Sequence, residues 1–169
     1  MVNRPHFVIS VFAFALSSLV LSTTTHAQER RITRNQLPIA VRKAADEQAQ
    51  GATVRGYTTE IENGQREYEI ELTINGHSRD VAIAPDGRII ETEDQVTAED
   101  LPAAVISALR SKAHEGEIRK IESITKNGAI VAYEAQVWTA SRHFEIQVGP
   151  DGESLTREER ISPFPDPRR

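Results

Sequence analysis

Apolar positions along the chain follow two spacings. Leu37, Val41, Ala44 and Ala45 recur at helical intervals, as do Leu101, Val105, Ala108 and Leu109. Each set predicts a helix with one apolar stripe. Pro38 and Pro102 confine the helix starts, because proline is tolerated only in a first turn. Thr33 with Gln36, and Thr97 with Asp100, have capping-box spacing and cap a short turn just ahead of each helix. Gly51 and Gly116 end the helices.

Elsewhere the spacing is two. Tyr68, Ile70, Leu72 and Ile74 alternate with Glu67, Glu69, Glu71 and Thr73, which predicts a strand with one apolar and one acidic face. Tyr133, Ala135 and Val137 alternate in the same way with Glu134, Gln136 and Trp138. Earlier strands are expected over Thr53–Ile61 and Glu117–Thr125. In the second, Ile118, Ile121 and Ile124 are three apart, a spacing that a bulge reconciles with a strand. Asn75-Gly76 marks a hairpin turn. A third strand carries Val81 and Ile83, or Phe144, Ile146 and Val148. Pro85-Asp86-Gly87 and Pro150-Asp151-Gly152 close each series with a further turn, leading to Ile89-Ile90 or Leu155.

The two series are copies. Thr33-x-x-x-Leu37-Pro38-x-Ala40-Val41-x-x-Ala44 returns 64 residues later as Thr97-x-x-x-Leu101-Pro102-x-Ala104-Val105-x-x-Ala108. Arg55 matches Arg119 and Asn63-Gly64 matches Asn127-Gly128. At an offset of 65, Tyr68-Glu69 matches Tyr133-Glu134 and the Pro-Asp-Gly turns match each other. Such self-similarity predicts an α+β fold of two tandem helix-plus-antiparallel-sheet repeats (αβββ/β), helices packed on one sheet face. The repeats are expected over 32–92 and 96–156, with 91–96 joining them and a disordered, proline-rich tail over 157–169. Whether the two sheets meet edge to edge, and whether the chain forms oligomers, the pattern leaves open.

Residues 1–27 stand apart. Arg4 is their only charged side chain, Phe7–Leu21 is apolar but for three serines, and Thr25-His26-Ala27 offers small residues for cleavage. This is the order of a secretory signal, and the run is short for a membrane span. The expected location is therefore periplasmic or secreted. Removing residues 1–27 leaves 142 residues with a net charge of −6. That balance argues against a nucleic-acid partner. The absence of cysteine excludes disulfides, thiolate metal sites and thiol nucleophiles.

A Leu-Pro-x-Ala-Val helix, an Asn-Gly turn, a Tyr-Glu strand and a Pro-Asp-Gly turn, duplicated behind a signal, resemble the PepSY-like family. That family is often described as similar to the beta-lactamase inhibitor protein. The resemblance covers about residues 32–156 and implies an exported, non-enzymatic module that binds proteins or regulates a peptidase. The chain lacks the inhibitor protein's cysteines, and no inhibitory loop can be matched.

No catalytic constellation appears. His77, His114 and His143 lack the spacing of a helical zinc site, and Asp86 and Asp151 already have turn roles. No metal or cofactor is expected. Glu69 and Glu71 lie about 7 Å apart on one side of a strand, as on a solvated sheet face. The hairpin register sets Trp138 opposite His143, Gln136 opposite Glu145 and Glu134 opposite Gln147, all facing away from the helix. The only tryptophan, where the first copy has Thr73, then lies outward among acidic and amide groups. Aromatic anchors are enriched at binding hot spots, and the acidic surround suits a basic partner. The sequence thus predicts a contact surface of Trp138, His143, Glu134, Gln136 and Glu145, extended by Glu69 and Glu71, for an envelope or secreted protein. Regulation or inhibition of an exported peptidase, and cation binding by the carboxylate rows, are the alternatives.

Overall fold

The computed structural model describes residues 29–62 and 64–155. The expected signal and the tail beyond Leu155 lie outside these residues. Eight strands follow one another: β1 (Arg30–Ile32), β2 (Thr53–Glu62), β3 (Gln65–Ile74), β4 (His77–Ile83), β5 (Ile89–Gln95), β6 (Glu117–Lys126), β7 (Ala129–Trp138) and β8 (His143–Val148). Helix α1 (Ile39–Gln48) precedes β2, and α2 (Ala103–Ala113) precedes β6.

Both helices begin directly after Pro38 and Pro102. The threonines cap short 3-10 turns ahead of them, Arg34–Gln36 and Ala98–Asp100. Thr33 N–H donates to the Gln36 side chain at 2.8 Å, and the Thr97 hydroxyl donates to Asp100 at 2.8 Å. The register shift between Ile118 and Lys120 brings Ile118 and Ile121 onto one face, while Ile124 falls on the other, opposite Glu93 and Ala132. Ile118 and Ile121 thereby pair with Val137 and Ala135.

The strands form a single antiparallel sheet in sequence order, β1 to β8. This overturns the expectation of two tandem helix-plus-sheet repeats. The segment read as a joining piece, 91–96, supplies most of β5. Thr92 pairs with Val81 of β4 on one side and with Thr125 of β6 on the other. A strand bonded on both edges leaves no gap at which two sheets could separate.

The rows across the sheet define its faces. Leu72, Arg79, Asp94, Ser123, Tyr133 and Val148 stand in one row, and the core lies on that side. Leu37, Val41, Ala44 and Ala45 of the first helical segment close over Ile70, Leu72, Val81 and Ile83. Val105, Leu109 and Ala113 of α2 close over Tyr133, Ala135, Val137, Phe144, Ile146 and Val148. Between the helices the same face carries an Arg79–Asp94 ion pair.

The Pro-Asp-Gly turns abut the helices they follow in space. Gly87 and Gly152 have φ of +89° and +82°. A side chain on either would meet the carbonyl oxygen of Ala40 or Ala104 at 2.8 and 2.6 Å. Glycine is required there both for the left-handed backbone and for the close approach of the helix.

Candidate functional site

The face away from the helices has no helix on it among the described residues. Its cross-strand pairs follow the expected register: Trp138 with His143, Gln136 with Glu145, Glu134 with Gln147. Trp138 is half-buried on this face. Its indole stacks on the His143 ring, with centroids 5.4 Å apart and planes inclined by 18°. On its other side the Arg119 guanidinium lies 4.8 Å from the ring centroid, a cation–π contact. Arg119 occupies the β6 bulge and also bonds Glu117 at 3.1 Å. Trp138 Nε1 and His143 Nε2 are shielded from solvent without a hydrogen-bond partner among the described residues. The spacing in β6 signalled the bulge, but nothing in the sequence named Arg119 as the residue it turns onto Trp138.

Further along the face lie the carboxylates. Glu69 and Glu71 of β3 are opposite Ala82 and Asp80 of β4, and these pair with Glu91 and Glu93 of β5. Glu122 of β6 pairs with Glu134 of β7. Carboxylate oxygens of Glu93, Glu122 and Glu134 lie within 4.8 Å of one another. The expected site residues thus form two groups on one face, Trp138–His143 at one end and Glu69–Glu71 toward the other.

The acidic face is less solvated than its alternation predicts. Glu122 is 2% exposed and Glu134 8%. Burial, with Asp80, Glu29, Glu71 and Glu60 nearby, pushes the Glu69 carboxyl up to about 8. Glu93 is raised well above the usual carboxylate range by burial and by Glu134 and Glu122. Burial also raises Asp80 and Glu122, with Lys120 opposing it in both cases. Lys120 Nζ lies 2.6 Å from Glu122 Oε1 and 3.9 Å from Asp80. Arg55 bonds Asp80 at 2.6 Å, Arg31 bonds Glu71 at 3.0 Å, and Gln147 donates to Glu134 at 2.6 Å. A lysine ammonium thus already stands beside the carboxylate trio.

No family model and no curated protein sequence matches the chain. Solved structures with a similar fold include a protein of Bacteroides eggerthii described as periplasmic, at 20% identity and a TM-score of 0.57, covering 73% of this chain and 88% of that one. A DUF2874 family protein of Bacteroides uniformis is similar at 17% identity and a TM-score of 0.56, over 73% and 88% of the two chains. A BLIP-like protein of Bacteroides fragilis is similar at 17% identity and a TM-score of 0.51, over 76% and 88%. At these identities the likeness is one of fold. Among the described residues no helix is long and apolar enough to cross a membrane.

Proposed function

We propose that this chain is an exported, non-catalytic protein-binding module that acts through the outer face of its sheet. The observation that carries the reading is Trp138. It is held between His143 and Arg119 on a sheet face that carries no helix among the described residues. A large aromatic fixed in place loses little entropy on binding. The signal-like residues 1–27 support an exported location, as does the periplasmic description of a protein with this fold. Similarity to a BLIP-like protein supports protein binding over catalysis.

The test is retention of envelope proteins on the immobilised parent and on a Trp138→Ala variant that still melts cooperatively. A protein held by the parent and lost from the variant is the expected result. Equal retention by both places the contact elsewhere and removes the role given to Trp138.

A further inference from the structure

A cavity of about 470 Å³ opens on the helix side of the sheet, between α2 and the start of β6. Its walls include Ala98, Ile106, Arg110, His114, Ile118 and Ile121. At its β6 edge it is also lined by Arg119 and Lys120, whose charged ends meet Trp138 and Glu122 on the outer face. Comparison with residues 64 positions earlier shows how it comes to be open. There Arg34 and Asp46 stand in place of Ala98 and Arg110. They clasp the 3-10 turn to α1 with two hydrogen bonds, of 2.9 and 2.5 Å. Arg42 stands in place of Ile106 and donates to the carbonyl oxygens of Asn35 and Leu37. Near α2 the clasp is gone. Alanine replaces its cation, and its anion has become a second cation, Arg110, which has no acidic partner among the described residues.

The floor is made by an unaccompanied length of strand. β5 ends at Gln95, opposite Glu122, and Val96 N–H bonds Ile121 O at 2.9 Å. Glu117–Lys120 of β6 run on beyond that point, paired only with β7 among the described residues. His114, at the rim, has φ of +50°, a sparsely populated backbone region for a residue other than glycine.

We propose that this cavity binds the C-terminal end of a short peptide with an apolar last residue. Arg110 would take the carboxylate that Asp46 supplies in cis near α1, a charge-assisted contact. The apolar side chain would lie against Ile106, Ile118 and Ile121. The peptide's main chain would run beside the open stretch of β6, as added strands do. An alkyl carboxylate could meet Arg110 but would leave that strand edge unpaired.

The test is calorimetric titration of the purified protein with acetyl-Ala-Val-Leu, as the free acid and as the C-terminal amide. The acid is expected to bind at millimolar concentration or below, and the amide about tenfold more weakly or worse. Arg110→Gln should reduce acid binding by a similar factor. The double variant Ala98→Arg with Arg110→Asp should rebuild the clasp, keep or raise the melting temperature, and abolish binding. Absence of binding by the acid, equal binding of acid and amide, undiminished binding by a well-folded clasp variant, or binding of decanoate but not the peptide would each overturn the proposal. Failure here would leave the outer-face reading untouched, since that reading is tested by Trp138→Ala.

Discussion

The protein is expected to melt at a higher temperature at pH 6 than at pH 9. The reason is Glu69, whose carboxyl is pushed up to about 8 by burial and by neighbouring carboxylates. In the unfolded chain it titrates near the usual glutamate value, so between the two values the folded state holds a proton that the unfolded state has lost. Stability then falls as pH rises through that window. A gap of this size corresponds to roughly 5 kcal/mol over the whole window, as an order of magnitude. Glu93, Asp80 and Glu122 are shifted in the same direction and add to the trend. Asp46 is shifted the other way by its bond to Arg34, so its contribution is present near neutrality and lost on strong acidification. Melting curves across this range check the point, and Glu69→Gln should raise stability at pH 9 and flatten the profile. A melting temperature that is the same at pH 6 and pH 9 would show that these carboxylates are solvated after all.

A second large effect is expected from Leu109→Ala. Leu109 of α2 is fully buried among Val105, Val137, Phe144 and their neighbours. Truncation removes apolar contact and leaves a cavity, at a cost of about 2–5 kcal/mol. The shared strand β5 makes the effect global. Because β5 is bonded to both β4 and β6, loss of packing under α2 should lower one transition for the whole chain. Trp138 fluorescence and far-ultraviolet dichroism should shift together in urea. Two separated transitions, with only the Trp138 signal displaced, would mean that the two halves of the sheet unfold independently.

The sequence made most elements legible and hid how they join. Leu37, Val41 and Ala44, their copies near Leu101, and the alternation from Tyr68 to Ile74 are strong periodic signals, because one face of each element is buried and the other is not. Segment 91–95 has no such signal. Its residues are Glu, Thr, Glu, Asp and Gln, so neither face is apolar and period two cannot be seen. It is a strand because β4 and β6 present paired edges on both sides of it, a tertiary fact. The same blindness applied to the acidic face. Alternation marks Glu69 as turned away from the core, and such residues are ordinarily solvated. The burial of Glu122 and Glu134 depends on neighbours brought in from β5, β6 and β7. The Trp138–His143 pairing was legible because hairpin register follows from local counting. The Arg119 contact was not, because it depends on which residue the bulge turns outward.

The account's central claim is that the outer face between β6 and β8 meets a protein partner. The most direct measurement is site-specific photo-crosslinking in producing cells. Benzoylphenylalanine would replace Gln136 on that face, or Lys43, an exposed residue of α1 on the opposite side (80% side-chain exposure). The account predicts a discrete crosslinked protein from position 136, reduced by Trp138→Ala in the same chain, and none from position 43. A crosslink from position 43 with none from position 136 would contradict it.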